Sequence, residues 1–306
     1  MAAPKGIRKL FTVIAHRWKK LKLFDRDLIF YLAALLPLTL LFTPSRELTG
    51  KYWTIQIVTI AALLAIIPRL DRRNSEVLRL LRYGYILLTL PFLYWYTGPL
   101  IHLVFQQEFD ALVIQAERFM FGELPNLRVQ HYVNPSLTEV MQIAYATYWL
   151  TIPLGAIIFY WKRQFDLLEH LLHGIMVVFI ASFALFILFP VAGPRFYLTD
   201  QIQASYDSLY VGQFLRTFVS TVAFRGGAFP SLHVAVAVFI LVFMEKFRPK
   251  TALFLFLPLV TALSLSTIYG QYHYVLDVLA GLVLGLGVGL WTVERVKQSF
   301  PLSSTG

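Results

Sequence analysis

At 306 residues, with 58% hydrophobic and 14% charged side chains and a mean hydropathy of +0.64, the chain has the composition of a polytopic membrane protein and not of a soluble one. It contains no cysteine, which excludes disulfides, zinc–thiolate sites and iron–sulfur clusters. The net charge of +10 is spread between apolar runs and accompanied by 16% aromatic residues, a distribution that fits membrane interfaces and argues against a nucleic-acid partner.

In chain order, residues 5–22 place Ile7, Leu10, Phe11, Ile14, Trp18 and Leu21 at helical spacing among Arg8, Lys9, Arg17, Lys19, Lys20 and Lys22. This predicts an amphipathic helix lying on an anionic membrane face. Apolar runs follow at 28–43, 52–68, 83–105, 138–161, 171–192, 229–244, 251–268 and 274–292, so the expected fold is an all-α polytopic membrane protein with about eight transmembrane helices. Pro37 and Pro258 interrupt the first and seventh, where tilt or kinking is expected. Between the third and fourth runs, Phe109, Leu112, Val113, Ala116, Phe119 and Met120 form one stripe of a segment expected to lie flat at the surface.

The expected division is a basic arm at 1–27, two extra transmembrane helices in 28–82, a six-helix core at 83–293 and a tail at 294–306. With both termini cytoplasmic, the inner segments hold most of the 27 Lys and Arg, which is the positive-inside signature. His233, His273, Asp277, Arg195 and Arg225 then all fall on the extracytoplasmic side. Ionisable residues at the head of a membrane helix are expensive to keep there and mark a functional site.

Two motifs carry the chemistry. In Arg225-Gly226-Gly227-Ala228-Phe229-Pro230-Ser231-Leu232-His233, Pro230 suits a first helical turn. Free N–H groups of that turn, with the Ser231 hydroxyl, make an anion cradle, and His233 stands one turn further in as a proton donor. The alternative is a capped membrane helix with an interfacial histidine. In the second motif, Ser266 through Asp277, His273 and Asp277 are spaced i, i+4. On a helix this sets the carboxylate to hold the imidazole's far nitrogen and fix its tautomer, as a nucleophile needs. Here the alternative is a helix-entry histidine with a structural partner. Gly281, Gly285 and Gly289 recur every fourth residue and are read as helix packing. Tyr145, Tyr148 and Trp149 fit either a lipid groove or an aromatic belt.

Together the motifs resemble the type-2 phosphatidic acid phosphatase superfamily. Pro230-Ser231-Leu232-His233 matches its Pro-Ser-x-His motif, and Ser266, His273 and Asp277 match its third motif, with Thr267 where the family has Arg. The resemblance implies a six-helix phosphatase-type core, His273 as nucleophile, Asp277 as its partner and His233 as general acid, with no metal or other cofactor. The family's first motif, Lys followed by Arg-Pro, is absent; Gly193-Pro194-Arg195-Phe196-Tyr197 stands in its place. That element, Phe229-Pro230-Ser231-Leu232-His233 and a third motif without its Arg together resemble the inositol phosphorylceramide synthase branch, which moves a phosphorylated headgroup between lipids. Ser231, Ser266, Arg195 and Arg225 are the candidate phosphate ligands.

The implied partners are membrane lipids: a phosphorylated donor and, for transfer, a lipid or polyol acceptor. Simple lipid phosphate hydrolysis is the nearest alternative. A metalloenzyme using His233, His273 and Asp277, or a non-catalytic lipid-binding or transport protein on the same scaffold, are the readings from other classes.

Overall fold

The computed structural model describes residues 5–70 and 75–299, the side chains of 5–11 excepted. The side chains of Ile7, Leu10 and Phe11 in the expected basic-arm stripe therefore lie outside what is described, as do Arg72, Arg73 and 300–306 of the expected tail. The described chain is 80% helix and contains no strand. It divides into two compact units, Met1–Phe92 and Leu93–Gly306. This division falls inside a helix, ten residues beyond the boundary expected at 82/83.

The first unit holds α1 (Lys5–Trp18), α2 (Leu23–Phe42), α3 (Arg46–Leu70) and most of α4 (Glu76–Thr97). Asp25 organises it. Its carboxylate accepts the Lys22 N–H at 2.7 Å, closing the first turn of α2. It also receives both prongs of the Arg82 guanidinium and the Tyr85 hydroxyl from α4. Asp25 and Arg82 are almost fully buried, at 0% and 1% exposure, so each charge depends on the other.

The second unit comprises α5 (Asp110–Phe121), α6 (Pro125–Val129), α7 (Pro135–Trp161), α8 (Phe165–Leu188), α9 (Pro194–Tyr197), α10 (Val211–Val222), α11 (Leu232–Phe247), α12 (Pro249–Thr251), α13 (Leu257–Tyr269) and α14 (Val275–Ser299). A π-helical stretch, Ala252–Phe256, joins α12 to α13 without a break. Local signals set several of these starts. Asn134 caps α7 by accepting the Leu137 N–H at 3.0 Å, with Pro135 at the first position. Gly122, at φ +79°, ends α5 in a conformation that favours glycine.

Helix α11 is central and packs against α7, α8, α13 and α14. Its side chains from Val234 to Ile240 are buried without interruption. The contact with α14 is close because of the glycines: a Cβ at Gly281 would stand 2.6 Å from the Ser231 carbonyl oxygen, and one at Gly289 would stand 2.8 Å from Val242 Cβ.

Among the described residues, six helices are long and apolar enough to span a bilayer: Arg46–Leu70, Glu76–Leu100, Pro135–Trp161, Phe165–Leu188, Pro249–Tyr269 and Val275–Ser299. The expected eight are not all reached by this measure. Helix α2 carries Asp25, Arg26 and Asp27 among its first five residues, which shortens its apolar run. Helix α11 has 16 residues; at 1.5 Å rise each it extends about 24 Å, short of the ~30 Å hydrocarbon core.

Candidate active site

Three segments meet where α11 and α14 begin: 190–195 after α8, 226–233 leading into α11, and 270–277 leading into α14. Main-chain hydrogen bonds tie them. Val191 N donates to Gly226 O at 3.1 Å and Ala228 N to Val191 O at 2.9 Å, forming an isolated parallel bridge between Val191 and Gly227. Arg195 N donates to Gln271 O at 3.0 Å, and Ser231 N to Asp277 O at 2.9 Å. Gly193 is required here. Its φ is +89°, and a Cβ would stand 2.9 Å from the Tyr272 carbonyl oxygen.

His273 is buried, and its Nδ1–H donates to the Ala228 carbonyl at 2.9 Å. A carbonyl can only accept, so this bond puts the proton on Nδ1 and the lone pair on Nε2. Burial pushes the imidazole down to about 3; the Ala228 carbonyl opposes this and the Arg195 guanidinium adds to it. The ring is therefore neutral at ordinary pH.

Asp277 does not make the hydrogen bond that the i, i+4 spacing assigns to it. Helix α14 opens at Val275, so His273 precedes the helix and does not share its face. The nearest Asp277 oxygen is 3.6 Å from His273 Nδ1. That oxygen accepts the Tyr274 N–H at 2.8 Å, one half of a capping box. The backbone, and not the carboxylate, fixes the tautomer.

His233 lies beside His273, with ring centroids 5.8 Å apart. Its Nε2 meets the Tyr145 hydroxyl at 3.0 Å, while its buried Nδ1 has no hydrogen-bond partner among the described residues. Tyr148 packs edge-on against the same ring at 4.3 Å. The lipid-groove and belt readings of Tyr145 and Tyr148 thus give way to direct contact with His233; Trp149 packs on Phe218 of α10 instead. Ser231 is buried and its Oγ has no hydrogen-bond partner among the described residues. Pro230, joined to Phe229 by a cis peptide bond, precedes Ser231 and lies outside the helix, which opens at Leu232. The Ser231 N–H, expected to be free for an anion, is taken by Asp277 O.

The two candidate arginines separate. Arg195 stacks on Phe196 and Tyr272, 4.6 and 5.2 Å from their ring centroids, and makes no ion pair among the described residues. Arg225 is committed elsewhere: Nε and Nη2 grip the Glu108 carboxylate at 2.6 and 2.8 Å, and its side chain is 52% exposed. Ser266, the remaining candidate phosphate ligand, donates its hydroxyl back into its own helix, to Leu263 O at 2.7 Å. Among the described residues no group of three or more His, Asp or Glu is arranged to hold a metal ion.

Several supporting residues escaped the sequence reading. Asn126 Nδ2 donates to the His273 carbonyl at 3.1 Å, and Gln271 Nε2 donates to Asn126 O at 2.8 Å and the Tyr206 hydroxyl at 2.7 Å. Tyr272 donates to Gln142 at 2.8 Å. Asp110 and Glu117 of α5 are both fully buried, although the apolar stripe was the visible feature of that segment. Leu112, Phe119 and Met120 of the stripe are exposed instead. The available signal was the i, i+7 spacing of two acids with Val113 between them, which puts all three on one helix face.

A search of the curated proteins and one of the solved structures each found no match. The family model described as PAP2 superfamily matches residues 111–291, which span the two histidine motifs and the loops that join them. The chain belongs to the PAP2 superfamily, whose members are generally phosphatases.

Proposed function

We propose that the protein is a membrane lipid phosphatase or phosphotransferase that works through a phosphohistidine on His273. The observation that carries this reading is the state of that ring: buried, neutral, with Nδ1–H held by Ala228 O and Nε2 left as the nucleophilic lone pair. His233 packs beside it, Arg195 bears on it electrostatically, and Ser231, bonded through its N–H to Asp277 O, brings a buried hydroxyl without a hydrogen-bond partner among the described residues.

In the first step His273 Nε2 attacks phosphorus as the bond to the lipid oxygen breaks. His233 gives that oxygen its proton, so the lipid leaves as an alcohol. The arriving phosphate's negative charge favours the protonated form of His233 beforehand. Arg195 and Ser231 take the charge that builds on the phosphoryl oxygens, and the Ala228 carbonyl holds Nδ1–H as the imidazole ring becomes cationic, with Asp277 3.6 Å away. In the second step a hydroxyl attacks phosphorus, the P–N bond breaks, and the hydroxyl proton returns to His233.

Water as acceptor gives a phosphatase; a lipid hydroxyl gives a synthase. The Gly193-Pro194-Arg195 element and Thr267 in the third motif support transfer, in the manner of the inositol phosphorylceramide synthase branch. The burial of His273, at 4% exposure, supports it too, because a sequestered intermediate meets little bulk water. The Lys and Arg distribution supports a site on the extracytoplasmic leaflet within a core at 83–293.

The test is incubation of the purified protein with labelled lipid phosphates and phosphodiesters, with and without alcohol acceptors. Free labelled phosphate from a monoester identifies the phosphatase, and a new labelled lipid identifies the synthase. His273→Ala should abolish both. Unchanged turnover in that variant refutes the mechanism, and no turnover by the wild type leaves the lipid-binding reading in its place.

A further inference from the structure

One carboxylate outside the matched motifs reaches two of the three segments that build the site. Asp110, the first residue of α5, has 0% exposure. Its Oδ2 accepts the Ala192 N–H at 2.7 Å; its Oδ1 accepts the Gly193 N–H at 2.9 Å and the Tyr274 hydroxyl at 3.0 Å. Gly193 lies two residues before Arg195, and Tyr274 follows His273. The same carboxylate thus touches the loop that carries the cation and the segment that carries the nucleophile. The neighbouring Phe109 N–H donates to Pro190 O at 2.8 Å, which holds the start of α5 against the same loop.

Seven residues on, Glu117 accepts the Leu276 N–H at 2.8 Å and satisfies a first-turn donor of α14. One face of α5 therefore bears on both loops, through Asp110 at its start and Glu117 two turns later. Three donors converge on Asp110, and a carboxylate accepts all three because both of its oxygens are acceptors. An isosteric amide cannot. It offers one oxygen and turns an NH2 group towards at least one of the N–H donors.

We propose that Asp110 is a positioning residue of the reaction, fixing the distance between the Arg195 guanidinium and the His273 ring without touching substrate. The proposal rests on the phosphohistidine reading given above. Its consequence is energetic coupling: Asp110 matters to turnover only insofar as Arg195 is there to be positioned.

The experiment is a double-mutant cycle on the full-length protein in detergent or nanodiscs, with Asp110→Asn, Arg195→Ala, the double variant and His273→Ala side by side. Asp110→Asn should lower kcat/KM by about 10- to 100-fold, the order expected when a reacting group is misplaced by up to an ångström. In the Arg195→Ala background the same substitution should cost less than about threefold, because the group it positions is gone. Losses that multiply overturn the proposal, as does wild-type turnover in Asp110→Asn. Should Asp110→Asn fail to fold, Tyr274→Phe removes one of the three bonds with little change in volume and takes its place in the cycle. The two readings fail separately. Turnover retained by His273→Ala removes the phosphohistidine mechanism and the proposal with it. An inactive His273→Ala with multiplying losses removes only the role of Asp110.

Discussion

Gly281→Ala tests whether the close approach of α14 to α11 sets the geometry of the site. The added Cβ would stand 2.6 Å from the Ser231 carbonyl oxygen, with Ala235 N at 3.3 Å and Val234 Cβ at 3.3 Å. The first obstacle is backbone, which cannot swing aside as a side chain would. Restoring an ordinary contact of 3.4 Å requires the two helices to part by about 0.8 Å. Gly281 lies one turn beyond Asp277, and Ser231 N is bonded to Asp277 O at 2.9 Å, so the separation is delivered to the residues around His273. A displacement of that size should reduce kcat/KM by roughly 10- to 100-fold. Gly287→Ala is the control. It sits on the same helix with nothing within 4 Å of its added Cβ, and it carries the same gain of about 1 kcal/mol in helix propensity. The assay is turnover of a labelled lipid phosphate by both variants, with thermal unfolding in detergent to show that both are folded. Equal activity of Gly281→Ala and Gly287→Ala would refute the argument, since a helix contact that tolerates a methyl group is not what spaces the site.

Arg195→Met should lose roughly 10- to 150-fold in kcat/KM, the equivalent of a charge-assisted hydrogen bond of about 1.5–3 kcal/mol. Arg225→Met should stay within about threefold, because that guanidinium is held by Glu108 and half exposed. Reversed losses in a steady-state assay would reassign the phosphate-binding cation. An imidazole at its ordinary value loses its neutral form as pH drops below about 6.5. His273, pushed down to about 3, stays neutral through that range. Formation of the labelled phosphohistidine from a phosphodiester donor should therefore not decline between about pH 7 and 5. The measurement belongs in a Glu117→Gln background, because burial pushes Glu117 up to about 7; a tenfold decline centred near 6.5 would contradict the burial of His273. In the first unit, Arg82→Met leaves the Asp25 charge buried without its guanidinium and should destabilise the protein by about 3–5 kcal/mol. Arg82→Met combined with Asp25→Leu should recover most of the lost thermal stability.

The superfamily and the helical membrane architecture were legible because each rests on local signals: apolar runs of spanning length, and motifs of four to twelve residues. The number of spans was less so. An apolar run does not show that α11 stops at 16 residues, or that its sides are covered by α7, α8, α13 and α14 in place of lipid. The surroundings of the two histidines depend on partners remote in sequence. Ala228 O on His273 and Tyr145 on His233 are separated from their partners by 45 and 88 residues, and neither has a periodicity to announce it. Spacing misled at Asp277, since i, i+4 means one face only where a helix exists, and the helix starts at Val275. In α5 the apolar stripe drew attention to Leu112 and Phe119, while the buried polar pair Asp110 and Glu117 looked like ordinary helix-surface acids. Arg195 and Arg225 were equivalent in sequence; Glu108 is what distinguishes them.

The bonds from Val191 to Gly226, Ala228 to Val191, Arg195 to Gln271 and Ser231 to Asp277 all run from one peptide group to another. Such a frame is blind to most side-chain chemistry on the loops it joins. Tyr197, exposed beside it, can be exchanged without dismantling it, provided the small residues at Gly193 and Gly226 stay. A scaffold built this way can accept new side chains along its rim while the main chain that spaces His233, His273 and Arg195 stays where it is.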